Sequence, residues 1–184
     1  YISINMLENE VVIQTKNWIN KVVIDCNFCP FAARAVLKKT IHYSVQKDIS
    51  EKESIEVFKN EIEYLNTHLD LETSFIIFEN DFIEFDDYLS LVEKVEKWLT
   101  KNKYDGIYQV ASFHPDYCFE GSDELDPANY TNRSIYPMLH LIREESISKV
   151  LEFFPNPGTI PVTNINFARK KGLEYMHLLR LACM

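Results

Sequence analysis

Cys29, His114, Asp116 and His140 are the side chains of this chain whose types and settings could supply a nucleophile, a general base, its orienter and a second base or ligand. Cys29 directly precedes Pro30, and proline favours the first turn of a helix. Free amides and the helix dipole there favour a thiolate, so a reactive cysteine is one reading. The competing reading is a small buried hydrophobe, since Phe28 and Phe31 flank the Cys29-Pro30 pair. Cys26 and Cys29 form a C-x-x-C, but a redox dithiol would follow a strand, and the residues before Cys26 carry a helical pattern. Cys26, Cys29, His114 and Cys118 lack the spacing of a zinc module.

The second segment runs from Ser112-Phe113-His114-Pro115-Asp116-Tyr117 to Arg143-Glu144. Pro115 stops a strand just after His114, which places His114 and Asp116 at a sheet edge or mouth. In the strand that follows, His140 lies on one face with Met138 and Ile142, while Leu139, Leu141 and Arg143 lie on the other. Asn129, Asn132, Arg133 and Arg143 are the candidate substrate-binding residues: planar guanidinium forks suit a carboxylate or phosphate, and the amides add neutral hydrogen bonds.

Three functions compete for these residues. In the first, a small-molecule enzyme brings Cys29, His114, Asp116, His140 and Arg133 together on an anionic substrate, with His114 as base and Asp116 as its orienter. In the second, His114, Asp116 and His140, with or without Cys29, hold a divalent transition metal with a position open for water. In the third, Arg133, Arg143 and the amides near Cys29 form a non-catalytic anion- or peptide-binding module. Beside them stands a purely structural role, in which these residues only stabilise the long loop.

The elements that must position these residues follow from hydrophobic periodicity. Glu8 to Val23 suits an opening amphipathic helix, and Pro30 to about Lys39 a short second one. Ile41, Tyr43 and Val45 alternate as a first strand, and Ser50 with Glu53 forms a capping box for a helix with Ile55, Phe58, Ile62 and Leu65 on its inner stripe. Ser74 to Phe78 is a short buried strand. Asp86 or Asp87 caps a helix with the stripe Tyr88, Val92, Val95 and Leu99, and strands follow over Ile107 to Phe113 and Tyr136 to Arg143. A helix over Ser146 to Phe154 and one long helix after Pro161 close the chain, with Gly172 permitting close packing. The resulting class is α+β: a four-stranded mixed sheet with helices mainly on one face, compatible with a ferredoxin-like relative. Pro115 to Ile135 is an irregular loop of functional length.

Length and composition bound the setting. A chain of 184 residues with 46% hydrophobic residues reads as one domain over residues 6–184, with Tyr1 to Asn5 as an appendage before Met6. A formal charge of −9 argues against nucleic acid. No apolar run has the length of a membrane helix, and four cysteines without an export signal read as reduced thiols, so a cytoplasmic protein with a small-molecule ligand is expected. Oligomeric state is not legible.

The segments Asn27-Phe28-Cys29-Pro30-Phe31-Ala32, Gln109 to Tyr117, Asn129 to Ser134, Tyr136-Pro137, His140-Leu141 and Arg143-Glu144 together resemble the bacterial family called domain of unknown function 1415. The resemblance runs from Trp18 onward. It implies that these segments form a shared site, with Cys29 as the motif thiol, and it implies no reaction. The family pattern has an apolar residue where this chain has Cys26, and a proline where it has Ile135.

Overall fold

The computed structural model describes residues 9–151 and 156–184. The appendage expected over Tyr1 to Asn5 lies outside them, as does the end of the helix expected to reach Phe154. Helix α1 (Glu10–Trp18) is capped by Asn9, whose side chain accepts from the Val11 amide at 2.8 Å, and it continues as a π-helical stretch over Ile19–Ile24. A turn with Asn27 at φ +56° then leads to α2 (Ala32–Lys38), which starts two residues after Pro30.

Strands β1 (Ile41–Gln46) and β2 (Thr73–Phe78) pair in parallel across helix α3 (Glu51–Thr67), whose Ser50/Glu53 capping box is present. Helix α4 (Phe85–Lys101) leads to β3 (Tyr108–Phe113), and after the long loop β4 (Met138–Arg143) returns antiparallel to both β3 and β2. Glu84 rather than Asp86 or Asp87 occupies the cap of α4, and the two aspartates sit in its first turn, where they favour the positive dipole end. The sheet order is β1-β2-β4-β3. The class is α+β with a mixed four-stranded sheet, but the β-α-β-α-β-β succession is not the β-α-β-β-α-β of ferredoxin-like folds.

Helices cover both faces of the sheet, not mainly one. The reason lies in β2, which is buried at all six positions and so needs apolar cover on each side. Phe75, Ile77 and Met138 pack on the first face against Trp18, Ile19, Val22 and Val23, together with Ala168 and Met176 from the C-terminal helices. Ile76, Phe78, Leu139 and Leu141 pack on the second against Phe58, Ile62 and Leu65 of α3 and Tyr88, Leu91 and Val95 of α4. The Tyr88 hydroxyl donates to Met138 O at 2.7 Å and accepts from the Phe113 amide at 2.9 Å, which ties α4 to the end of the β3–β4 pair.

Helix α5 (Glu144–Leu151) begins directly after β4. The long final helix expected from the sequence is two helices, α6 (Ile160–Lys171) and α7 (Leu173–Leu181), because Gly172 adopts φ +86° and ψ 162°. Nothing lies within 4 Å of the position its Cβ would take, so glycine serves the backbone turn here and not close packing.

Candidate functional site

The first face of the sheet does not meet its helices everywhere. A cavity of about 160 Å³ separates Thr73, Phe75, Ala111, Phe113, His140 and Ile142 of the sheet from Trp18, Ile19 and Val23, from Ala32 and Ala35 of α2, and from Ser146 and Ile147 of α5. Small side chains make the space: Ala111 pairs directly with His140 across β3 and β4, and Ala32 and Ala35 face it from α2. Cys29 lines this cavity and also a second one of about 330 Å³, whose walls include Phe28, Phe119, Thr131, Asn132, Asn164 and Ile165. Val23 and Phe113 are shared by both, so the two cavities adjoin at Cys29.

At the rim of the first cavity stand Arg34 and Glu72, paired at 3.2 Å, with side chains 38% and 23% exposed. Thr40 donates to the other Glu72 oxygen at 3.1 Å. Among the described residues, the only ionised side chains at the cavity thus neutralise each other.

Cys29 and His140, 111 positions apart in sequence by their numbers, are brought to one cavity. The amides of Phe31 and Ala32 pull the Cys29 thiol towards the thiolate, as its place before α2 suggests, but burial outweighs them and its pKa lies above the ordinary value. The His140 ring is stacked on Phe75 at 3.9 Å with an interplanar angle of 6°, and its Nε2 lies 2.6 Å from the Thr73 hydroxyl. Burial depresses its pKa to about 3. Both groups are neutral at physiological pH.

His114 and Asp116 do not join them. Phe113 faces Trp18 and His140 on the first face, at 5.1 and 6.1 Å between ring centroids, but His114 turns to the second, between Phe85 and Tyr88 at 5.1 Å each. The sheet therefore lies between the two histidines. His114 is fully buried and both of its nitrogens are engaged: Nε2–H donates to Phe82 O at 2.8 Å, and Nδ1 accepts from the Asp116 amide at 3.0 Å. The orienter is thus the Asp116 backbone and not its carboxylate, and the imidazole has no free lone pair with which to act as a base. Burial lowers its pKa, in keeping with that neutral tautomer. The bond to Phe82 helps hold a backbone at φ +57°.

The candidate binding residues are also engaged. Asn129 is fully buried; its oxygen accepts from the Phe119 amide at 3.1 Å and its nitrogen donates to Asp123 O at 2.9 Å, so it fastens the long loop from inside. Asn132 donates to Ser112 O at 3.1 Å and lines the second cavity. Arg133 donates to Tyr117 O at 2.9 Å and Glu124 O at 3.0 Å while lying over the Tyr130 ring. Arg143 is on the second face, donating to Leu71 O at 2.8 Å, to the Tyr108 hydroxyl at 2.8 Å, and to Leu65 O and His68 O at the end of α3. It caps that helix, whose last carbonyls lack partners within it. Among the described residues no three His, Cys, Asp or Glu side chains gather as a metal would need, because the sheet divides His114 from His140.

Sequence reasoning missed Trp18, Thr73, Phe75, Ala111 and the Arg34–Glu72 pair as cavity residues, and Arg180, whose Nη1 donates to Pro115 O at 2.8 Å and Ser134 O at 3.2 Å and so joins the two ends of the long loop. Once β4 is aligned with its neighbours, the Phe75–His140–Ala111 row can be found, but that alignment is not readable from periodicity alone.

The fold and cavity define an α+β protein in which a mixed sheet between two helical layers leaves a partly open, apolar pocket beside the half-buried His140. The chain belongs to the family described as "Protein of unknown function (DUF1415)", whose model matches residues 10–178. No curated protein and no solved structure matches it. Among the described residues, no helix is long and apolar enough to cross a membrane.

Proposed function

We propose that the protein binds a small, uncharged, largely apolar molecule in the cavity between the first sheet face and helices α1, α2 and α5. One observation carries this reading: a partly open, benzene-sized pocket with apolar walls, whose only ionised side chains among the described residues, Arg34 and Glu72, are paired at its rim. Apolar cavities of about 150 Å³ take up molecules of benzene size, and small-molecule sites are mostly apolar with a few placed polar groups. An anionic ligand finds less support, since Arg133 and Arg143 are occupied by loop and helix carbonyls. All four cysteines are free thiols, which supports a cytoplasmic setting.

Trp18 lines the cavity, and the chain's other tryptophan, Trp98, packs on Phe58 in the opposite layer. In a Trp98→Phe background, Trp18 emission titrated with toluene, benzyl alcohol and 4-methylphenol reads occupancy. A saturable change that Ala111→Leu abolishes is expected, because the larger isobutyl side chain occupies the pocket. No saturable change with any of the three, or the same change in Ala111→Leu, removes the reading.

A further inference from the structure

We infer that Nδ1 of His140 is the hydrogen-bond acceptor for the bound molecule, so that the ligand is a planar ring carrying one hydroxyl or N–H donor, of the phenol class. This deepens the proposed function and rests on it. The geometry determines which nitrogen is free. The Thr73 hydroxyl has a single proton and lies 2.7 Å from Leu141 O, which can only accept. Thr73 therefore donates to Leu141 and has only lone pairs for the His140 nitrogen 2.6 Å away. Nε2 must then carry the imidazole proton, which leaves Nδ1 with its lone pair.

No partner for that lone pair is found among the described residues, although Nδ1 is not among their fully buried unsatisfied atoms. A half-turn of the ring keeps the Phe75 stack but sets a carbon in place of Nε2 at the Thr73 hydroxyl, so the Thr73 bond fixes which nitrogen lies where. A fixed acceptor on an apolar wall is the kind of polar group that orients a ligand in such a site. Burial keeps the ring neutral far below physiological pH, so the acceptor is not lost by protonation. The shape of the donor's carrier follows from the flat Phe75–His140 pair and the edge-on Trp18–Phe113 pair at 5.1 Å, which favour a planar body.

The test compares 4-methylphenol, 4-methylanisole and toluene by calorimetry, on the unmodified protein and on His140→Phe. Binding of 4-methylphenol about tenfold or more tighter than both others is expected, tenfold being about 1.4 kcal/mol, with the preference lost in His140→Phe while toluene binding remains. Because His140→Phe also gives up the Thr73 bond, imidazole nitrogen NMR on the unmodified protein supplies an independent reading: the proton on Nε2, and an Nδ1 resonance that moves with 4-methylphenol and not with toluene. Equal affinities for the three molecules, or a proton on Nδ1, overturn the acceptor role and leave the cavity reading standing. Absence of binding by all three overturns both.

Discussion

Replacing Arg143 with methionine separates the structural account of this residue from the anion-binding role its type suggests. The guanidinium reaches Leu65 O and His68 O at the C-terminal end of α3, Leu71 O just beyond it, and the Tyr108 hydroxyl, which itself donates to Asn66 at 2.8 Å. A hydrogen bond to a charged group contributes about 1.5–3 kcal/mol net, and a cation at a helix C-terminus about 0.3–1 kcal/mol more. These contributions overlap on one partly exposed side chain, so a total loss of about 3 kcal/mol is expected rather than their sum. With a urea dependence of about 2 kcal/mol/M, the unfolding midpoint falls by roughly 1.5 M. Arg143→Lys recovers less than half of that, since one ammonium cannot reproduce the planar fork. Binding of 4-methylphenol in the cavity stays unchanged, because Arg143 lies on the other side of the sheet from His140. A midpoint that moves by less than about 0.25 M, equivalent to about 0.5 kcal/mol, refutes the capping account; lost binding at unchanged stability restores a ligand role.

Further outcomes follow from the same geometry. His140 has a folded pKa of about 3 against an unfolded value of about 6.5, so its contribution to stability is fully present above pH 6.5 and is lost as pH falls towards 3. Between pH 7 and pH 5 this amounts to roughly 2 kcal/mol at 1.36 kcal/mol per unit, visible as a drop in urea midpoint; His140→Phe shows a correspondingly smaller drop, the remaining slope including His114, whose shift has the same sign. Asn129→Asp replaces an amide donor facing Asp123 O with a carboxylate in a fully buried site, and costs about 3 kcal/mol or more by thermal or urea unfolding. An unchanged midpoint there removes its role as the loop's internal fastening. Alkylation mapped by peptide mass spectrometry at pH 8 finds Cys29 at least about tenfold slower in the folded than in the urea-unfolded protein, since the thiolate is the nucleophile and burial disfavours it. Saturating 4-methylphenol slows it further, and equal folded and unfolded rates contradict the assignment of Cys29 as a half-buried, cavity-lining thiol.

Much of the frame was legible in the residues. Four strands, the Ser50/Glu53 capping box, the inner stripes of α3 and α4, and the division of β4 into a His140 face and a Leu139–Leu141–Arg143 face all follow from local periodicity, which sterics and burial impose on any chain. The side of His114 relative to His140 was not legible: His114 continues the alternation of β3 opposite Phe113, but which β4 residues share the Phe113 face depends on the β3–β4 register. Arg143 shares the face that alternation assigns it, but its partners are carbonyls more than seventy residues earlier in the chain, which only the folded arrangement of α3 and β4 brings near. Gly172 carries the same letter in a helix-packing position and at a helix break, and its positive φ decides between them. The cavity is legible least of all: it is made by the small size of Ala32 and Ala35 on α2 and Ala111 on β3, two segments far apart in sequence that line one space.

The most direct measurement is the crystal structure of the protein soaked with 4-bromophenol, read through the anomalous signal of bromine. The expected result is a peak inside the cavity bounded by Trp18, Phe75 and Ile147, with the phenol oxygen within hydrogen-bond distance of His140 Nδ1. A cavity that holds no bromine at saturating ligand, or a peak only elsewhere on the molecule, contradicts the claim that this void is the binding site.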